Sequence, residues 1–278
     1  MKVYISADIE GVTGVVHPDQ IYPDGKFYNE ALEVWAKELN AIIEGLTESG
    51  IESKDIFIND SHNHMRNLSA LNIPTANLIL GWQKTYSMVS QINLGFDIAF
   101  FTGYHSMAST NGVLSHTYRP RIIKEVKLNN ILVGETGLNS ALAGYYNVPV
   151  GLVTGDNVLC DEARKLFGKN TVYVETKKAI SRYSALSYSL EENLKTLKEG
   201  AILAIKNKIY WKPYKPETPT ILSVRFAESN HADAVELIPQ VKRIGSAEVE
   251  YTSHDFSIVF KCFLAMGALA ASRDDVLT

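Results

Sequence analysis

Val3-Tyr4-Ile5-Ser6-Ala7-Asp8-Ile9-Glu10-Gly11-Val12-Thr13-Gly14 is the stretch on which the fold turns. Val3, Ile5, Ala7 and Ile9 alternate with other residues, the period-2 signature of a β-strand, and Gly11 and Gly14 then break the pattern into a loop. Asp8 and Glu10 therefore fall at the carboxyl end of a strand. Two carboxylates two residues apart on a strand project to one face, so both could reach one metal centre. The same stretch carries no apolar run or cleavage-like site. It reads as a strand rather than a signal peptide, which predicts a cytoplasmic protein.

Outward from this strand the same order recurs. Leu32, Trp35, Leu39, Ile42 or Ile43 and Leu46 step by three and four residues up to Gly50, predicting a long amphipathic helix. A short strand over 55–59 runs into Asp60-Ser61-His62, a weaker one lies near Leu78 to Leu80, and an apolar strand over 97–101 ends in Thr102-Gly103-Tyr104-His105. Residues 122–128 and 131–133 read as a hairpin through Asn129-Asn130, which tolerate the positive φ of a tight turn. Glu135 opens a helix that stops at Asn147, and the strand over 149–153 ends in Thr154-Gly155-Asp156-Asn157. Strand, polar loop and helix in repetition predict an α/β fold, a three-layer α/β/α sheet carrying the site, since open α/β sheets bind ligands beyond the carboxyl ends of their strands.

The second half reads differently. Ser189-Leu190-Glu191-Glu192 is a capping-box sequence opening a helix to about Lys206, and residues 211–219, with three prolines, read as a linker. Strands over 220–227 and 247–252, a helix over 232–237 and an apolar final helix over 256–271 then form a smaller unit. The expected division is a metal-site domain over 1–165 and a smaller C-terminal α+β domain over 166–278 that contributes oligomer contacts. The final helix is the one segment that imitates a membrane span, but it contains Lys261 and is shorter than the ~20 residues a span needs.

Composition narrows the function. The 278 residues carry 27 Lys+Arg against 31 Asp+Glu, a formal charge of −4, which argues against nucleic-acid binding. Two cysteines, Cys160 and Cys262, are too few for a disulfide framework or a thiolate zinc site. A bound metal must therefore be held by oxygen and imidazole. The candidates are Asp8, Glu10, His62, His105, His116, Glu135 and Asp156, each at or just beyond a strand's carboxyl end. Carboxylates with imidazoles suit zinc, manganese or cobalt in a hydrolytic site, and the set is large enough for two ions. Asp60 reads as a helix cap, and His17, His64, His231 and His254 as background.

Five motifs then carry a resemblance: Asp8-Ile9-Glu10-Gly11-Val12-Thr13-Gly14, Asn59-Asp60-Ser61-His62, Gly103-Tyr104-His105, Leu114-Ser115-His116 and Val133-Gly134-Glu135-Thr136-Gly137-Leu138-Asn139. In order and spacing the chain resembles the zinc-dependent D-aminopeptidases. The resemblance implies two Zn2+ per subunit, with Asp8 bridging them and Glu10, His62, His105 and Glu135 completing the shells. It matches His116 to an additional catalytic histidine, acting as nucleophile, proton shuttle or oxyanion donor. It further implies a homo-oligomer, a ring-based decamer whose sites face an internal channel, acting on short peptides. Competing readings are another two-metal hydrolase, an amidase or phosphoesterase, and a non-catalytic peptide-binding protein with a structural metal.

Overall fold

The computed structural model describes residues 1–273. Its main sheet grows outward from β1 (Val3–Ala7), which pairs in parallel with β2 (Ile56–Asp60) on one side and β4 (Ile98–Thr102) on the other. β3 (Asn77–Ile79) adds beyond β2, and β7 (Val150–Asp156) and β8 (Val172–Ser181) add beyond β4, all in parallel. β9 (Ser184–Ser187) folds back antiparallel on β8, giving the order β3-β2-β1-β4-β7-β8-β9.

Strand alternation distributes the core to both faces. Val3, Ile5, Ile58, Phe100 and Leu152 pack with α1 (Tyr28–Glu48) and α4 (Leu190–Lys206), the helix pair that covers one face. The buried stripe of α1 is Ala31, Trp35, Leu39, Ile42, Ile43 and Leu46, which matches the expected face except that Ala31 begins it and Leu32 is only half-buried. Tyr4, Ala99, Phe101 and Val153 face the other way, toward α2 (Glu135–Tyr145), α3 (Asn157–Phe167) and α6 (Phe256–Ala271). The expected three layers are therefore present. α3 and the β8–β9 hairpin are additions to the elements expected from sequence.

A second, antiparallel sheet has the order β11-β12-β10-β5-β6, built from β5 (Ile123–Leu128), β6 (Ile131–Leu132), β10 (Thr220–Phe226), β11 (Lys242–Gly245) and β12 (Glu248–Ser253). Its β5–β6 turn uses Asn129 and Asn130 at φ 49° and 66°, the left-handed pair such a hairpin needs. α5 (Ser229–Val235) and α6 pack against it.

Neither sheet respects a cut near residue 165. β5 and β6, from the first half, pair with β10, while β8, β9 and α4, from the second half, complete the main sheet. Local periodicity reports strands but not their partners, and here the partners lie about a hundred residues apart. Two smaller expectations also change. Ser189 makes no side-chain capping bond, so α4 begins without its capping box. Residues 211–219 do not hang free, since the Tyr214 backbone lies against Gly144 of α2. α6 buries Val259, Phe260, Phe263 and Met266 within the core, and no helix among the described residues is long and apolar enough to cross a membrane.

Candidate metal centre

The site forms where β1, β2 and β4 end. β1 stops at Ala7, so Asp8 and Glu10 lie in the loop beyond it rather than on the strand itself. Their convergence comes from the loop's path and not from the pleat. That path needs glycine: a Cβ on Gly11 would sit 2.0 Å from the Tyr104 carbonyl oxygen, and one on Gly103 would sit 2.1 Å from that of Asp8. The Gly11 N–H donates to the Gly103 carbonyl at 2.7 Å, clamping the loops after β1 and β4 together.

His62 arrives just beyond β2, and His105 just beyond β4. Glu135 begins α2, where a carboxylate is favoured by the helix dipole. His116 comes from the loop between β4 and β5, with Leu114 and Tyr118 both held at positive φ, 52° and 55°. β-Carbon-bearing residues rarely adopt that region, so the loop's backbone is strained on both sides of His116. Arg182 donates to the carbonyl of Ser115 and holds this loop from the β8–β9 turn.

These five ligand candidates and His116 meet in one buried cluster. His62 Nδ1 lies 3.3 Å from Asp8 Oδ1 and 3.3 Å from Glu10 Oε2. His105 Nε2 lies 3.5 Å from Asp8 Oδ2 and 3.5 Å from Glu135 Oε1. His116 Nε2 lies 3.7 Å from Glu135 Oε1, and its ring stacks on His105 with centroids 3.9 Å apart. Asp8 takes part in two ligand triads, with Glu10 and His62 and with His105 and Glu135, each with one ligand atom per residue within 4.8 Å of the others. A third triad joins Glu10, His105 and His116.

Backbone carbonyls fix which imidazole nitrogen faces the cluster. His62 Nε2 donates to Ile21 O at 2.6 Å, His105 Nδ1 to Ser106 O at 3.0 Å, and His116 Nδ1 to Leu114 O at 2.9 Å. Each ring thus turns its other nitrogen inward, the orientation a metal-binding histidine needs. The Tyr118 N–H donates to Glu135 Oε1 at 2.6 Å, orienting that carboxylate.

The cluster demands positive charge. Burial and the neighbouring Glu10 raise the Asp8 carboxyl well above the usual range. Burial opposes the Glu10 anion too, yet His62 beside it carries Glu10 well below that range. Burial disfavours a charged His105, but Glu135, Glu10 and Asp8 override it and push its pKa up to about 10. His116 behaves oppositely, since burial and the adjacent His105 lower it and keep it neutral. Two buried atoms, Glu10 Oε2 and His105 Nε2, make no hydrogen bond. Buried atoms left unbonded among carboxylates fit a divalent cation, whose charge would replace the His105 proton and offset the acids and whose coordination would satisfy those atoms.

The remaining candidate acids have structural partners. Asp156 caps α3, accepting from Leu159 N–H at 2.8 Å and Val113 N–H at 2.7 Å. Asp60, read as a helix cap, caps none because no helix begins at Ser61; it accepts from the N–H groups of Asn67 and Leu68 and organises the loop after β2. His17 caps a 3₁₀ turn, and His231 belongs to a capping box with Glu228. Sequence reasoning did not anticipate Tyr118 or Lys177, which bonds the carbonyls of Glu10, Val12 and Val15. Tyr118 acts through its backbone, which no side-chain pattern reports.

Comparison with known proteins gives this cluster its setting. The peptidase M55 family model, described as D-aminopeptidase, matches residues 1–265. A D-aminopeptidase of Bacillus subtilis (strain 168) is 34% identical over 274 residues, covering 97% of this chain and 98% of that protein. The solved structure of the Zn-dependent D-aminopeptidase DppA from Bacillus subtilis, described as a self-compartmentalizing protease, superimposes with a TM-score of 0.93 at 34% identity over 98% of both chains. The chain belongs to the D-aminopeptidase family of peptidases.

Proposed function

We propose that this chain is a dinuclear zinc aminopeptidase that removes the N-terminal residue, preferably a D-amino acid, from short peptides such as those containing D-Ala. One observation carries the reading: Asp8 belongs to two ligand triads while Glu10 Oε2 and His105 Nε2, both buried, make no hydrogen bond. Asp8 would serve both ions, Glu10 and His62 one of them, and His105 and Glu135 the other. Zinc in such a site supplies Lewis acidity toward a peptide carbonyl and toward water.

The chain's own groups do the rest. His116 is neutral, anchored through Nδ1–H on Leu114 O, and offers Nε2 as the atom that takes up a proton and returns it to the leaving amine. Glu135 lies 3.7 Å from that nitrogen and would stabilise the imidazolium formed during transfer. The Tyr118 N–H keeps Glu135 oriented while this happens. Burial of Asp8, Glu10, His105 and Glu135, each at most 2% exposed, keeps bulk water from screening these charges.

Membership in the D-aminopeptidase family favours a peptidase over the phosphoesterase reading. The self-compartmentalizing relative supports a homo-oligomer here, a ring-based decamer, with Ile180, Tyr183 and Leu186 exposed on the β8–β9 hairpin as contact residues. Both cysteines are free and buried, in keeping with a cytoplasmic setting.

The test couples metal analysis to a substrate panel on one preparation. Two zinc ions per chain, with turnover of D-Ala-D-Ala over its L,L counterpart and over phosphate esters, are expected. One ion per chain removes the dinuclear centre, preferential ester turnover establishes the phosphoesterase alternative, and tight peptide binding without hydrolysis makes the metal structural.

A further inference from the structure

The cavity above the cluster has a volume of about 450 Å³, the size of a small-molecule site. Asp8, Glu10 and Glu135 lie at its floor, and Phe263 and Gly267 of α6 supply an apolar wall. Two cationic side chains other than histidine line it, Lys84 and Arg119.

Their situations differ. Lys84 Nζ donates to Asn59 Oδ1 and Asp60 O at 2.7 Å each and to Ile79 O at 3.2 Å, so its three donors are engaged within the protein. Arg119 is partly buried, and among the described residues its guanidinium makes no hydrogen bond and no ion pair. Its backbone is nevertheless fixed: the Arg119 N–H donates to Thr117 O at 2.6 Å, and its carbonyl accepts from Ile122 and Ile123 at 3.0 Å. The residue follows Tyr118, whose N–H orients Glu135, and stands three positions after His116.

A guanidinium offers up to five N–H donors in a rigid fork that matches a carboxylate, and those of Arg119 border the cavity with no protein partner among the described residues to compete for them. In an aminopeptidase the first peptide bond of the substrate must lie at the cluster, and in a two-residue peptide the free carboxylate then follows within about 7 Å. We propose that Arg119 binds the free C-terminal carboxylate of the substrate, so that the substrate class is the short peptide with an unblocked C-terminus. This rests on the peptidase reading given above. It makes Arg119 a specificity residue, since a carboxylate contact strengthens binding of one substrate class without altering the scissile bond.

The test compares D-Ala-D-Ala with D-Ala-D-alaninamide, which share the scissile bond and differ only in the terminal charge, on zinc-loaded wild type, Arg119→Met and Arg119→Lys. Wild type should favour the free acid about ten- to hundredfold in kcat/KM, chiefly through KM, the factor expected of a charge-assisted hydrogen bond. Arg119→Met should bring that ratio to within about twofold of unity while still binding two zinc ions, and Arg119→Lys should restore part of it. Where Arg119→Met does not fold, Arg119→Gln reads the same ratio. A preference that survives in the Met or Gln variant, or that wild type never shows, overturns the proposal. Turnover of neither compound by the zinc-loaded protein overturns the peptidase reading itself and Arg119's role with it.

Discussion

The loop after β1 separates two buried polar clusters. On one side Lys177 donates to the carbonyls of Glu10 and Val15 at 2.5 Å and of Val12 at 2.8 Å, Thr13 donates to Glu38, and Asn193 donates to Thr13 Oγ1 and Thr176 O. No buried side-chain atom of this cluster lacks a hydrogen-bond partner among the described residues. On the other side, Asp8, Glu10, His62, His105 and Glu135 are as deeply buried, yet Glu10 Oε2 and His105 Nε2 are left without hydrogen bonds. Burial and charge are common to both. What separates them is satisfaction: a complete network holds the loop in place, and an incomplete one within the same loop marks where a ligand belongs.

The comparison breaks most visibly at the residue shared by both triads. Asp8→Asn should lose both zinc ions and all measurable peptide turnover, because each triad loses an anionic ligand; retention of two ions per chain would remove Asp8 from its bridging role. His116→Ala should lower kcat by roughly 10²–10⁴-fold, the usual contribution of a positioned acid–base group, while zinc content stays at the wild-type value. Zinc lost from that variant would make His116 a ligand, in line with its triad with Glu10 and His105.

The satisfied cluster should fail in the other manner. Lys177→Met strips three buried carbonyls of their donor, and leaving such acceptors unpaired costs about 3–5 kcal/mol in total, or roughly 5–9 °C in unfolding midpoint for a chain of this size. The folded variant should still take up two zinc ions. An unchanged midpoint with weakened zinc binding would show that Lys177 belongs to the metal centre instead.

Much of the metal-centre side was legible in sequence, because its residues sit at strand ends that hydrophobic periodicity locates. Strands β1, β2 and β4 deliver Asp8, His62 and His105 to one edge whatever the remaining topology. The Lys177 side was not legible. Lys177 lies among Thr176 and Lys178 in β8, a strand whose neighbours give no alternation, and its partners are more than 160 residues away. The interleaving of the two sheets was hidden for the same reason, since β5 pairs with β10 across about a hundred residues. Asp156 shows the converse error: its placement at a strand end looked like a ligand's, and only the distances to Leu159 and Val113 identify it as a cap.

The smallest effect concerns pH. Burial raises the Glu38 carboxyl to about 7, with the bonds from Thr13 and the charge of Lys177 limiting the rise. The folded chain therefore keeps a proton that the unfolded chain releases near its ordinary value of 4.5. Stability is fullest below 4.5 and is lost as pH rises through 7, by about 3 kcal/mol in total for a shift of this size. Glu38→Gln keeps an acceptor for Thr13 but cannot ionise. Urea unfolding of the zinc-free protein at pH 5, 6, 7 and 8 should show the wild-type decline flattened in this variant. An equal decline in both would assign the pH dependence to the metal-centre carboxylates and histidines, and would make Glu38 an ordinary member of a network already satisfied without its proton.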